Sequence, residues 1–150
     1  MPIGVTPLVV KLLVFAIAIL PLLVDNVRTS RVTNRNNLIL FVAGAAMIAV
    51  DHGMGWSDRS LWTICAWLIL GGVGLIVLAA TGVCPGGVAK TLMALLPWFT
   101  TERYFLVIAA GFILSALFGY ATRRETPVVV PLAIACFAVW LFDISNSVAV

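Results

Sequence analysis

The sequence predicts an all-α membrane protein, a polytopic bundle of about six transmembrane helices with both termini on the outer side. Apolar types make up 63% of the 150 residues and charged types only 10%, whereas an average soluble domain is nearer one-quarter charged. A soluble fold of this length has too little interior to hide so much apolar surface. Lipid is therefore the solvent that fits the composition.

Six apolar segments follow one another along the chain. They run roughly over Val5–Val24, Asn37–Val50, Leu61–Thr81, Val88–Phe99, Phe105–Ala121 and Pro127–Ser145. The first lacks a charged leading region and a small-residue cleavage site, so we expect a retained helix rather than a signal peptide. The second and fourth are short for a full crossing. Because no linker divides the chain, residues 1–150 are predicted to form a single transmembrane domain.

The basic residues predict the orientation. One side of the six spans carries Arg28, Arg31, Arg35, Lys90, Arg123 and Arg124. The opposite loops carry Arg59 and Arg103 beside acidic residues. Since cytoplasmic loops hold the excess of Lys and Arg, the first side is predicted to be cytoplasmic. Lys11 is the exception, and we expect it either to snorkel to the outer interface or to face the bundle.

Aromatic residues agree with this orientation. Those expected in an interfacial belt at the outer boundary are Trp56, Trp62, Trp98, Tyr104 and Trp140. Such belts form because the amphipathic rings of Trp and Tyr favour the headgroup region. Two signals of different origin therefore predict one topology.

Several classes of function are disfavoured by the residue types. The net charge of +3 does not indicate nucleic-acid binding, because the basic residues sit in short loops between apolar runs. Cys65, Cys84 and Cys136 lie far apart without metal-ligand spacing, so we expect small apolar core residues rather than a zinc site or disulfides. His52, flanked by glycine, is expected to be solvated in an outer loop. No metal or organic cofactor is implied.

Two polar features fall on the predicted cytoplasmic side. Asp25 follows the first apolar run, and a carboxylate at the membrane boundary is a functional candidate because its charged form is poorly solvated there. The alternative is an ordinary helix-end Asp paired with Arg28 or Arg31. The second feature is the stretch Thr81–Lys90, whose glycines allow a sharp turn and a close approach. The alternative is a simple break between two spans, which Pro85 favours.

Together these features resemble the type IV prepilin peptidase family. Asp25, the following Arg28-Thr29 and then Asn34 resemble its first motif, an Asp, a basic polar run and an Asn before the next helix. The segment Gly86-Gly87-Val88-Ala89-Lys90 resembles its second motif, Gly-x-Gly-Asp followed by Lys. The resemblance covers nearly the whole chain and is strongest to the short forms that serve Tad/Flp pili. These forms lack the cytoplasmic domain with paired cysteines, which argues against N-methyltransferase activity.

The chain departs from the family pattern at three positions. Thr33 stands where the family usually has Pro, and Pro85 stands where Gly is typical. Val88 stands where the family has its second catalytic Asp. It is either an inactivating substitution introduced into a family enzyme or the native residue of a divergent paralogue.

The resemblance implies an aspartic endopeptidase of the bacterial or archaeal inner membrane. Such enzymes remove the basic leader of a prepilin or pseudopilin at the cytoplasmic face, with the substrate's apolar helix in lipid. Asp25 and position 88 would be the catalytic pair, and Gly86, Gly87, Lys90 and Asn34 would shape the substrate side. No cofactor is implied, and homo-oligomers are possible partners as well as the precursor and the lipid bilayer.

Aspartic peptidase chemistry requires two carboxylates that share about one proton, one to activate water and one to polarise the scissile carbonyl. Val88 can supply neither role. The other acids, Asp51, Asp58, Glu102 and Asp143, are predicted on the outer side, roughly 30 Å away. Glu125 is the one other acid predicted on the cytoplasmic side, so it alone could replace the missing second carboxylate. Its neighbours Arg123 and Arg124 favour a solvated ion cluster instead. We therefore expect impaired or absent cleavage.

Two other classes of function stay open from the sequence. The first is a non-catalytic family member that binds or delivers pilin subunits. The second is a small transporter or channel, which would need ionisable residues near mid-membrane. Lys11 and Asp143 both fall near helix ends in the predicted topology, so this class is disfavoured.

Overall fold

A computed structural model describes residues 5–29, 32–122 and 128–148. The helices are α1 (Val5–Thr29), α2 (Asn34–Gly53), α3 (Leu61–Ala80), α4 (Gly86–Leu95), α5 (Thr101–Thr122) and α6 (Val129–Val148), and a 3-10 segment (Leu96–Trp98) follows α4. The described ranges contain no strand. Five helices, all except α4, are long and apolar enough to cross a membrane. The prediction of an all-α, multi-pass membrane bundle is confirmed.

The first two helices extend beyond their apolar runs. The sequence places the end of the first span at Val24, but α1 continues to Thr29 and includes Asp25. In the same way α2 begins at Asn34 rather than at Asn37. Each added residue closes another backbone hydrogen bond once a helix is nucleated, so the polar residues continue helices that hydropathy alone would end.

The fourth helix is too short to span a membrane. Ten residues of α-helix rise about 15 Å, and the three residues of the 3-10 segment add about 6 Å, against a hydrocarbon core of about 30 Å. Pro97 lies inside the 3-10 segment and cannot donate a backbone hydrogen bond to continue the helix. Phe99 then adopts an extended conformation that leads into α5. The predicted segment Val88–Phe99, short for a full crossing by its sequence, is thus a half-length helix followed by a 3-10 segment.

Two glycines allow the 3-10 segment to pack closely between α2 and α3. A Cβ atom on Gly44 would lie 2.7 Å from Cγ of Pro97 and 2.7 Å from Nε1 of Trp98. A Cβ atom on Gly71 would lie 2.7 Å from Cδ2 of Leu96. Gly72, by contrast, has no neighbour within 4 Å. Gly71 of α3 therefore allows close packing against the 3-10 segment.

Replacing Gly44 by Ala is expected to lower the free energy of unfolding by about 1–3 kcal/mol. The new methyl group would meet two rings, Pro97 and Trp98, and the second is fixed by a hydrogen bond from its Nε1 to the carbonyl oxygen of Leu40 at 2.9 Å. Reversible unfolding in mixed detergent micelles measures the change. Gly72→Ala is the matched control and should leave stability equal or higher. Equal stability of the two variants would contradict the packing account.

An aromatic cluster fills the middle of the bundle. The ring centroid of Phe15 on α1 lies 5.1 Å from that of Trp98 and 4.8 Å from that of Trp140, both edge-on. Trp98, Trp140 and Tyr104 are 7%, 4% and 3% exposed, so their prediction as members of an outer belt is wrong. The half-length α4 leaves Trp98 inside the bundle, whereas Trp62, at the start of α3, is 82% exposed.

The helices alternate in direction, so the chain has two distinct ends. At one end, Lys11 of α1 pairs with Asp51 of α2, and Arg103 of α5 pairs with Asp143 of α6, each at 2.5 Å. We call this the Asp51 end; α1 begins there and α6 finishes there. The opposite end, where α1 finishes and α2 and α4 begin, is the Asp25 end.

Two side chains at the Asp51 end differ from expectation. His52 lies in the last turn of α2 and is half-buried, not in a solvated loop. Of the two alternatives for Lys11, the structure has the side chain facing the bundle, since only 19% of it is exposed.

Candidate functional site

Asp25 is held by the start of the next helix. Its Oδ2 atom accepts hydrogen bonds from the Thr33 hydroxyl at 3.1 Å and from the Asn36 side-chain amide. Arg28, one of its expected partners, is exposed, and Arg31 lies outside the described residues. Both described side-chain hydrogen bonds to the Asp25 carboxylate end on Oδ2.

The spacing of the two donors explains the arrangement. Thr33 is the N-cap of α2 and Asn36 lies three positions later, which is the spacing of a capping box. The Thr33 hydroxyl does not cap its own helix but donates to Asp25 instead. A carboxylate near the end of α1 is disfavoured by that helix's dipole, and its contact with the start of α2 offsets this. The sequence singles out Asn34, which is exposed; the residue that binds Asp25 is Asn36.

An open groove of about 620 Å³ runs along α1 and α2 to Asp25. Its lining consists of Leu20, Pro21, Val24, Asp25, Thr33, Arg35, Asn36 and Ile39. The lining is apolar along the helices and polar at the Asp25 end. Such a groove suits a ligand that is itself apolar along one part and polar at its end.

The glycine turn lies at the same end of the bundle. A Cβ atom on Gly87 would lie 4.0 Å from Cβ of Val32, the residue before Thr33. Gly86 and Gly87 form the exposed first turn of α4. The left-handed backbone of this connection is at Gly82, with φ of +76°, rather than at the two motif glycines.

Val88 is an apolar residue that lies among apolar neighbours. The half-buried side chain of Val88 packs against the hydrophobic core, while Lys90 is exposed. Asp51 is fifteen residues along α2 from Asn36, or about 22 Å at 1.5 Å per residue. Glu125 lies outside the described residues. Within the described ranges, Asp25 is therefore the only carboxylate at its end of the bundle.

Two buried amides flank this site. Asn26 and Asn37 are 3% and 6% exposed, and they directly follow Asp25 and Asn36 in the sequence. Oδ1 of Asn26 and both polar side-chain atoms of Asn37 have no hydrogen-bond partner among the described residues. Neither residue was singled out from the sequence. Their spacing to Leu22 and Leu40 gives the signal, since it places them on the buried faces of α1 and α2.

The described part of the chain contains no group of three or more His, Cys, Asp or Glu residues that could hold a metal ion. Its three cysteines are free thiols. No family model, no curated protein and no solved structure matches this chain. Any proposed function therefore depends on the site itself.

Proposed function

We propose that this chain is a membrane protein of prepilin-peptidase type that binds pilin precursors at the Asp25 end, with cleavage impaired by Val88. The carrying observation is that Asp25, fixed through Oδ2 by Thr33 and Asn36, lines the polar end of the groove between α1 and α2. A pilin precursor has the matching character, an apolar helix preceded by a polar leader. In the proposed orientation this end faces the cytoplasm, because its basic residues follow the positive-inside rule.

Different residues of the groove would contact different parts of the precursor. Leu20, Pro21 and Val24 would contact the first turns of the precursor's apolar helix, which lies parallel to α1. Oδ1 of Asp25 would accept a hydrogen bond from the backbone at the leader junction. The exposed Gly86 and Gly87 turn would allow a peptide to approach the backbone of α4 closely.

Hydrolysis itself is proposed to be impaired. A single carboxylate cannot both activate water and protonate the scissile carbonyl. Supporting this, Val88 packs on apolar neighbours, and the other described carboxylates lie toward the Asp51 end.

A second candidate function is a non-catalytic member that holds or delivers pilin subunits. The apolar packing of Val88 favours it, because a site selected for binding alone has no need of a second acid there. The two candidates share the binding site and differ in whether one substitution restores cleavage.

Binding is tested with uncleaved Tad/Flp-type precursors and the full chain in lipid nanodiscs. We expect capture of the precursor without turnover, and at least tenfold weaker capture by Asp25→Ala, because Oδ1 is lost. Glu102→Gln is the matched control, since it changes an exposed carboxylate in the first turn of α5 at the Asp51 end. Equal capture by Asp25→Ala and the unmodified chain would remove the basis of the proposal. Rapid cleavage by the unmodified chain would overturn the inference from Val88.

A further inference from the structure

A second groove opens in the side of the bundle between α3 and α5. Among the described helices, packing runs from α5 through α6, α1, α2 and α4 to α3, and α3 does not pack closely on α5 to complete the ring. Leu92 of the half-length α4, which is buried, forms part of the floor. Because α3 and α5 are both long and apolar enough to cross a membrane, the groove lies within the depth of the bilayer and opens toward lipid.

We call this opening the α3–α5 groove. Its volume is about 620 Å³, and its lining includes Leu70, Gly74, Leu78, Leu92, Phe105 and Phe112. The lining residues of α3 run from Trp67 to Leu78, a rise of about 16 Å at 1.5 Å per residue. This length is close to the ~15 Å of hydrocarbon in one leaflet, half of a core of about 30 Å.

The groove belongs to the leaflet at the Asp25 end. The connection from α3 to α4 lines it there through Val83, Cys84 and Pro85. At the other extreme, Trp67 lies six residues after the start of α3, which is about 9 Å inside the Asp51 end. A lipid in this groove would therefore have its headgroup at the Asp25 end.

The polar groups in the lining already have partners within the chain. The Trp67 indole N–H donates to the carbonyl oxygen of Leu96 at 3.3 Å, and the Tyr104 hydroxyl donates to that of Leu92 at 2.8 Å. The Cys84 thiol donates to the carbonyl oxygen of the next residue at 3.7 Å. None of the described lining residues is charged. The groove thus presents apolar surface, which favours a hydrocarbon occupant.

The width of the groove favours lipid chains over a helix. A volume of about 620 Å³ along about 16 Å gives a mean cross-section of roughly 40 Å². An α-helix about 10 Å across with its side chains has a cross-section of roughly 80 Å², so only half of it would fit. Hydrocarbon chains whose carbons touch at about 4 Å need on the order of 20 Å² each, so two chains fit side by side.

We propose that the α3–α5 groove binds the two acyl chains of one phospholipid. The chains lie over Gly74, where a Cβ atom would have no neighbour within 4 Å, and between the apolar side chains of α3 and α5. The bound lipid closes the ring of helices where α4 is too short to do so. The site is independent of the Asp25 groove and of the proposed action on precursors.

Gly74→Trp and Gly72→Trp form a matched pair that tests the proposal. A Cβ atom on either glycine has open space within 4 Å, but only Gly74 lines the groove. The full chain is delipidated in a sterol-based detergent and titrated with palmitoyl-oleoyl phosphatidylglycerol, and native mass spectrometry counts the bound lipids. We expect saturable binding of one lipid to the unmodified chain, at least tenfold weaker binding to Gly74→Trp, and unchanged binding to Gly72→Trp.

A second pair decides the question even if Gly74→Trp does not fold. Leu70→Trp enlarges an exposed side chain in the wall of the groove, whereas Ile69→Trp enlarges an exposed neighbour outside it. Only Leu70→Trp should weaken lipid binding. The single-chain palmitoyl lysophosphatidylglycerol has the same headgroup and should bind the unmodified chain at least tenfold more weakly, because it fills half of the groove.

Four results would overturn the proposal. Absence of saturable lipid binding is the first, and equal binding by the two members of each variant pair is the second. Equal affinity for the single-chain lipid would show that the groove does not hold two chains. A dimer or precursor capture that is lost in Gly74→Trp but kept in Gly72→Trp would assign the groove to a helix of a second copy or of the precursor.

Discussion

Val88→Asp is expected to increase cleavage of a matched pilin precursor by at least about 100-fold, because a positioned general acid or base contributes about 10²–10⁴ in rate. The substitution would place a second carboxylate in the first turn of α4, at the end of the bundle that contains Asp25. With two acids sharing about one proton, one activates water while the other polarises the scissile carbonyl. Leader removal is measured as a mobility shift of the precursor over time with the purified variant in nanodiscs.

Two companion variants separate chemistry from folding. Val88→Asn introduces an amide that has nearly the same shape as the Asp side chain but no acid. It should fold as Val88→Asp does and show no gain in cleavage. Asp25→Ala in the Val88→Asp background should return cleavage to the level of the unmodified chain. If folded Val88→Asp protein shows no gain, the site has diverged by more than one residue and the non-catalytic candidate gains support. A gain that survives Asp25→Ala would show that Asp25 is not the partner.

The positions of the spans can be predicted from the sequence because a helix that crosses a membrane requires a long apolar run. The spans α1, α2, α3, α5 and α6 each overlap the apolar run that predicts them, although α1 and α2 extend beyond their runs into polar residues. The sequence does not show which residues of a span face lipid and which face the core, because both kinds of residue are apolar. Ile17 is 74% exposed and Ile19 only 2%, although hydropathy scores them alike. For the same reason the sequence wrongly predicted Trp98 in an outer belt, although its side chain is buried in the bundle.

The candidate site follows from the sequence only in part. Alternation of the spans predicts that Asp25 and the glycine turn share one end, and the proximity of Gly87 to Val32, whose Cβ would lie 4.0 Å from a Cβ on Gly87, agrees with this. The partner of Asp25 is Asn36, however, because the direction of a side chain from a helix's first turn depends on where that helix begins. Hydropathy starts α2 at Asn37, whereas the helix begins at Asn34, so the apolar pattern could not show which way Asn36 points.

Asn37→Leu is expected to raise the free energy of unfolding by about 1–3 kcal/mol and to leave precursor binding unchanged. The gain in stability follows because both polar atoms of this buried amide lack a described partner, and an unsatisfied buried group costs about that much. Asn37 does not line the groove at Asp25 and its polar atoms are buried, so precursor binding should not depend on it. Unfolding in mixed micelles and capture of the precursor are measured on the same preparation.

The sign of the stability change distinguishes an unsatisfied buried amide from one that ordered water satisfies. An unsatisfied buried amide costs free energy, so its replacement stabilises the fold, whereas an amide held by ordered water would destabilise the fold when replaced. Thr91→Val is the matched control, since Thr91 is 1% exposed at the same end but its hydroxyl donates to the carbonyl oxygen of Gly87 at 3.2 Å. That variant should lose about 0.5–1.5 kcal/mol and keep its binding. An Asn37→Leu protein that is less stable would show that the amide has hydrogen-bond partners, and weaker precursor binding would show that the amide contributes to the site.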